Sequence, residues 1–248
     1  MAAEPEAVTQ DTLLRGRVKL LQPTRGYRVA LDPVLLAAAV PAGADDTVLD
    51  AGAGSGAATL CLAARVTGVR IVGLELQPGL AGLARDSVAL NAWQDRVRIA
   101  TGDLLDRAIE RGPFTIVMSN PPFTDPGGTP PPTRSRAIAR HAVVPVAAWL
   151  EACLARLRPR GRIVLVDRPE RLPAILETLA RCCGDLRLLP VLTTAGASRA
   201  RRVIVAARRG SRGAMRVLRG LDLQAATGQF SQRARAILEE MAPLDLEA

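Results

Sequence analysis

The run Val48-Leu49-Asp50-Ala51-Gly52-Ala53-Gly54-Ser55-Gly56 decides the fold. A short apolar stretch of strand character ends in an acid, and glycine then takes every other position. Without a Cβ, glycine lets the chain turn sharply and lets a ligand approach the backbone closely. The segment Ala57 to Val66 that follows is built of Ala and Leu and reads as a helix. A strand, a glycine turn and a helix in that order form the ligand-binding corner of a doubly wound sheet.

The same alternation continues outward. Strands are expected at Thr47–Asp50, Arg70–Glu75, Val97–Ala100 and Phe114–Ser119. Between them, helices are expected at Pro78–Leu90, with proline at its favoured first position, and at Leu104–Glu110. A loop rich in Pro and Gly, Asn120 to Thr133, leads to a helix over Pro145–Leu157. Arg160-Gly161 turns the chain into a strand over Arg162–Val166, and a helix follows over Leu172–Cys182. Leu186–Leu192 and Val203–Ala207 read as strands joined by a hairpin-like connection, Gly196 to Arg202, and Gln232–Glu240 as a closing helix. Alternating strands and helices imply an α/β, Rossmann-like, mostly parallel sheet with helices on both faces. The expected sheet has seven strands, with an antiparallel edge strand supplied by the last hairpin. The expected organisation is a core over residues 46–209, an N-terminal extension over 1–45 that covers the ligand site, and a C-terminal extension over 210–248 packed on the core.

Composition fits one sizeable domain: 248 residues, 48% hydrophobic and 23% charged. Leu31 to Val40 is the most apolar early stretch, but it is too short for a membrane span and contains Asp32 and Pro33. The polar, acidic start lacks the basic and apolar regions of a signal peptide, so a cytoplasmic location is expected. Cys61, Cys153, Cys182 and Cys183 have no metal-ligand spacing, and with one histidine no metal site is expected. The formal net charge is +9, and Lys19 is the only lysine. Such a field attracts a polyanion such as RNA, although a GC-rich genome would also favour arginine codons.

Asp50 argues about the ligand. A carboxylate just before the turn suits the ammonium of a methionine moiety and repels a pyrophosphate. The glycines Gly52, Gly54 and Gly56 also run one apart rather than in the dinucleotide spacing. Glu75 ends the second strand, where its carboxylate can accept both ribose hydroxyls. Asp103, in Thr101-Gly102-Asp103-Leu104, closes the third, where it can accept an adenine amino group while Leu104 supplies an apolar face. Three acids at successive strand ends, with Ala51 and Leu76 beside them, are therefore read as a site for S-adenosyl-L-methionine. Each acid taken singly could be only a turn or cap residue.

Asn120-Pro121-Pro122-Phe123 follows the fourth strand. A planar amino or amide nitrogen is a poor nucleophile because its lone pair is delocalised. The Asn120 side-chain oxygen and the Pro121 carbonyl can accept its two N–H groups and aim the lone pair, the prolines stiffen the turn, and Phe123 can stack on the flat group. Alone, Asn-Pro-Pro is only a turn signal. After the fourth strand of a cofactor-binding sheet it points to N-methyl transfer.

Together the two motifs resemble class I N-methyltransferases of the Asn-Pro-Pro-(Phe/Tyr) type. The run Leu21 to Leu36, LQPTRGYRVALDPVLL, and the closing Gly228-Gln229-Phe230-Ser231 are similar to the bacterial tRNA (adenine-N6)-methyltransferase family, which modifies the adenine next to the anticodon of a valine tRNA. The resemblance spans roughly Leu14 to the C-terminus. It implies that Asp50, Gly52, Gly54, Glu75 and Asp103 serve the cofactor, and that Asn120 to Phe123 are catalytic. It places Tyr27, Arg28 and Asp32 in a segment near the cofactor, and a packing role for Tyr27 is an equal alternative. Phe123 fits this family, whereas the glutamine-methylating release-factor enzymes usually carry Tyr and have a separate helical N-terminal domain.

On the substrate side, Arg134, Arg136 and Arg140 follow the catalytic loop and could meet RNA phosphates, or could be a solvated surface. Thr124 to Thr133 has the composition of a lid, and Arg208, Arg209 and Arg212 form another basic cluster. His141, Trp93 and Trp149 are read as structural residues. Other outcomes are another planar nitrogen (rRNA guanine N2 or a protein glutamine amide), a non-catalytic cofactor- or RNA-binding module, and, last, a nicotinamide oxidoreductase.

Overall fold

The structure is a computed structural model that describes residues 7–24, 30–122 and 144–247. The sheet is built from β3 (Thr47–Ala51), β4 (Arg70–Glu75), β5 (Val97–Thr101), β6 (Phe114–Ser119), β7 (Leu157–Asp167), β8 (Cys183–Thr194), β9 (Ala200–Arg209), β10 (Arg216–Val217) and β11 (Leu221–Gln224). Its order is β10-β8-β9-β7-β6-β3-β4-β5, with β11 also paired to β8. The helices α2 (Ala57–Arg65), α3 (Pro78–Leu90), α4 (Val146–Ala155) and α5 (Leu172–Ala180) connect the strands, and α6 (Gln232–Glu240) closes the chain.

Strands β3 and β6 are buried along nearly their whole length, as parallel strands covered on both faces must be. Their side chains alternate between two cores. Val48 joins one core with α1 (Asp32–Ala39), α2, α3 and α6, while Leu49 and Ala51 join the other with α4 and α5. Gly56, at φ +91°, makes the left-handed turn that starts α2. The Ser231 hydroxyl accepts the Ala234 N–H at 3.1 Å and caps α6.

In the chain's N-terminal part, β1 (Val8–Leu13) and β2 (Val18–Pro23) form a separate antiparallel hairpin. The hairpin packs on α3 rather than on the sheet. The Leu21 N–H donates to Ser87 Oγ at 2.9 Å, and Asn91 brackets Lys19 through both its N–H and its carbonyl. Helix α1 lies against α2 and α6, and the Leu244 N–H donates to the Ala38 carbonyl at 2.8 Å. Among the described residues no helix is long and apolar enough to cross a membrane.

Three expectations need correction. The antiparallel strand is β9, and it lies between β7 and β8 rather than at the edge. Its uncharged stretch Val203–Ala207 suits an inner position covered on both faces. The short strands β10 and β11 pair in parallel with β8 and bring the sheet to nine strands. Finally, Leu104–Glu110 forms turns instead of a helix. The Asp103 and Asp106 carboxylates each accept the N–H two residues on, at 2.8 Å, which competes with helical bonding. The Asp106 and Ile109 carbonyls are taken by the Arg156 guanidinium, at 2.7 and 3.0 Å.

Candidate active site

Strands β6, β3, β4 and β5 are neighbours and parallel, so their carboxyl ends form one row at one edge of the sheet. Asn120, the glycine turn, Glu75 and Asp103 occupy that row in order. Adjacent strands sit about 4.8 Å apart, which places the four positions within reach of one extended small molecule. β3 connects onward to β4 on one side, and its other side is occupied by β6, so the crevice between them is a topological switch point where open α/β sheets bind ligands.

The glycine turn is held by its neighbours. The Gly52 and Ala53 N–H groups both donate to the Leu74 carbonyl, at 2.9 and 3.0 Å. Gly52 has φ +80°, and a Cβ there would lie 3.0 Å from the Trp149 ring, so Trp149 seals the turn from the α4 side. Gly54, at φ +58°, faces open space, with nothing within 4 Å of where a Cβ would stand. The turn is therefore closed behind and open in front, the shape a bound nucleoside needs.

Glu75 is buried and braces the turn. Its two oxygens accept the Gly54 and Gln77 N–H groups, each at 2.9 Å. A carboxylate offers about four lone-pair sites, so hydrogen-bonding capacity remains for ribose hydroxyls. Asp50 is also buried, and its Oδ2 accepts the Thr59 hydroxyl at 2.6 Å. Burial, opposed by the Thr59 bonds and aided by the nearby Glu75 charge, pushes its pKa up to about 6. Asp103 is half-buried beside buried Leu104; Ala51 is buried and Leu76 half-buried.

On the next strand, the Ser119 hydroxyl donates to the Ala51 carbonyl at 2.7 Å and accepts the Trp149 indole N–H at 3.0 Å. This relay ties the end of β6 to the glycine turn. Asn120 follows directly. Its Oδ1 is buried and accepts no hydrogen bond among the described residues. An acceptor left so costs about 1–3 kcal/mol, and a substrate amino group would satisfy it. Pro121 is buried and Pro122 exposed. Phe123, Tyr27, Arg28, Arg134, Arg136, Arg140, His141 and the lid segment lie outside the described residues.

The sequence reading missed several residues. Thr59 carries no local signal, and Trp149 is the structural residue expected, buried in the core, with the further role of shaping the turn. Asp167 ends β7 just as the other acids end their strands, a signal that was present. The Asp32 carboxylate meets Arg202 at 2.8 Å and joins the start of α1 to β9. Beside the Asn120-Pro121-Pro122 turn opens a cavity of about 980 Å³, lined among others by Asp32, Arg168, Arg171, Arg201 and Arg202. By contrast, Arg208 and Arg209 lie at the opposite end of the sheet from the glycine turn, because β9 runs antiparallel. Arg209 donates to the Leu154 and Leu157 carbonyls, and Arg208 pairs with Asp185 at 3.7 Å, so these two are engaged in the fold.

Residues 31–183 match the methyltransferase small domain family. The chain is 36% identical over 154 residues to the tRNA1(Val) (adenine(37)-N6)-methyltransferase of Porphyromonas gingivalis, a match that spans 58% of this chain but only 60% of that protein. It is 30% identical over 223 residues to the enzyme of the same name from Aeromonas hydrophila, which covers 83% of this chain and 86% of that protein. A crystal structure described as a predicted O-methyltransferase from Agrobacterium tumefaciens superposes with a TM-score of 0.72 at 23% identity, over 86% of this chain and 97% of that one, which supports the class I methyltransferase fold. The chain belongs to the methyltransferase small domain family, in the group that includes the Aeromonas hydrophila protein.

Proposed function

We infer that the protein transfers a methyl group from S-adenosyl-L-methionine to the exocyclic N6 of an adenine in the anticodon loop of a tRNA. The observation that carries this reading is the buried Asn120 Oδ1, left without a donor at the switch-point crevice beside an open glycine turn. The kinship with adenine(37)-N6-methyltransferases supports the choice of nitrogen.

Asp50 and Glu75 are assigned to the cofactor's ammonium and ribose, Asp103 with Leu104 to its adenine, and Ala51, Gly52, Gly54, Gly56 and Leu76 to its walls. When bound, S-adenosyl-L-methionine supplies an electrophilic methyl whose sulfur leaves with the C–S electron pair. Asn120 Oδ1 and the Pro121 carbonyl accept the two N6–H groups and point the nitrogen lone pair at that methyl. The new N–C bond makes one N–H acidic, and its proton passes to solvent. Holding the partners in line supplies at best about 7–11 kcal/mol of the barrier reduction. Phe123 is assigned to stacking on the base, a role suited to an adenine already loosely stacked in a loop.

Arg168, Arg201 and Arg202 line the cavity next to the turn and give the RNA strand a basic path there. Tyr27, Arg28, Arg134, Arg136 and Arg140 are assigned to RNA contact on the sequence motif alone. The N-terminal segment, whose Leu31, Asp32 and Leu35 line the cavity, is assigned to cover the site. The cytoplasm, where tRNA is modified, is the expected compartment.

The test is methyl transfer from labelled cofactor to unmodified tRNA, ribosomal RNA and release factor in parallel, followed by nucleoside mass spectrometry. N6-methyladenosine in tRNA is expected. Label only in ribosomal RNA or protein would replace the substrate, and no label anywhere would overturn the activity.

Asp50 adds a pH dependence. In the free protein it is half protonated near pH 6. An ammonium partner favours the ionised form, so cofactor affinity should rise with pH up to about 6 and level off above. Below that it should fall by up to about tenfold per unit. Calorimetric titration across pH 5–8 checks this, and Asp50→Asn should flatten the profile. A profile already flat in the natural protein would remove Asp50 from the ammonium site.

A further inference from the structure

The catalytic turn presents a mechanical problem. Pro121 and Pro122 carry no N–H, so neither can be pinned by a donor of its own, and the turn must be held through its carbonyls and side chains. Arg171, at the start of α5, meets that need. Its Nη1 donates to the Pro122 carbonyl at 3.0 Å, and its side chain is only 16% exposed.

Arg171 is itself held from behind. Asp167, at the end of β7, has a fully buried side chain. Its Oδ1 accepts the Arg168 N–H at 2.7 Å, and its Oδ2 lies 3.5 Å from Arg171 Nε with no hydrogen bond of its own among the described residues. Burial raises its pKa, against the pull of the Arg171 and Arg168 charges. β7 is parallel to β6, with Leu165 opposite Ser119. Asp167 therefore emerges alongside the catalytic turn, one strand away. A guanidinium is a rigid fork that can face a carboxylate with one nitrogen and a carbonyl with another.

We propose that Arg171, backed by Asp167, is a positioning residue that fixes the Asn120-Pro121-Pro122 turn in the geometry needed for methyl transfer. The proposal rests on the methyl-transfer reading for its kinetic arm but not for its structural one. A misplacement of about 1 Å at a reacting centre can cost about a hundredfold in rate. Losing the clamp should therefore lower kcat, with little change in cofactor affinity.

Removing Arg171 alone strands a buried carboxylate, which is destabilising in itself. The variant to make is therefore Arg171→Met combined with Asp167→Asn, alongside Arg171→Lys and Asp167→Asn singly. The double variant should keep cofactor affinity and the KM for tRNA within about threefold, while kcat falls by about 10–100-fold. Arg171→Lys, which keeps the charge and a single donor nitrogen, should recover part of that loss. In the double variant, amide exchange at Asn120 should speed at least tenfold relative to the β3 amides, measured on the cofactor-free protein. That readout stands whether or not any RNA is methylated, so it separates failure of the clamp from failure of the functional reading. Unchanged kcat with unchanged exchange would overturn the proposal. A raised KM at constant kcat would also overturn it, by assigning Arg171 to RNA phosphate instead.

Discussion

Replacing Asn120 with alanine should reduce methyl transfer by about 10²–10³-fold or more, the cost of removing one preorganised hydrogen-bonding group from a reacting centre. Cofactor affinity should stay within about threefold, because the glycine turn, Asp50 and Glu75 hold together without Asn120. Stability carries the sharper part of the expectation. Asn120 Oδ1 is buried and unpartnered among the described residues, so the folded protein bears its desolvation cost with no return in the free state. The variant should melt at the natural temperature or above it. A Tm lower by more than about 5 °C with modest loss of activity would mark Asn120 as a packing residue. Steady-state kinetics on tRNA, titration with cofactor and a thermal melt decide between these readings.

Replacing Glu75 with alanine should weaken cofactor binding by at least about 10²-fold. Hydrogen bonds to a charged group contribute about 1.5–3 kcal/mol each, and Glu75 is assigned two from the ribose. The same carboxylate accepts the Gly54 and Gln77 N–H groups, at 2.9 Å each. The variant should therefore also lose a few degrees of Tm, as the turn loosens. Glu75→Gln, which keeps the shape but only one accepting oxygen, should fall between the two. Calorimetry with the cofactor measures the first effect and a thermal melt the second. A lower Tm with unchanged affinity would leave Glu75 as a brace for the turn and remove it from the ribose.

Much of the local structure was legible because its signals are local. The expected Arg70–Glu75, Phe114–Ser119, Pro78–Leu90 and Gln232–Glu240 coincide with β4, β6, α3 and α6. Each is an apolar strand run, or a helix bounded by a proline start or a serine cap, and such cues act within a few residues. Leu104–Glu110 failed for the opposite reason. The carbonyls a helix would have used are bound by Arg156, some fifty residues away, and nothing near Leu104 announces that partner.

The site divides in the same way. From the sequence alone came the acid-glycine turn, the acids at successive strand ends and the Asn-Pro-Pro-Phe motif, because each is a short run whose chemistry follows from its own residues. Tertiary structure alone decided that β9 is inserted between β7 and β8, that Trp149 closes the glycine turn, and that Arg171 reaches the Pro122 carbonyl. It also placed Arg208 and Arg209 far from the site and Arg201 and Arg202 beside it, although they stand on one strand. The physical reason is that strand order and side-chain partners depend on which distant surfaces bury each other, whereas a turn or a strand end is specified by the residues that compose it.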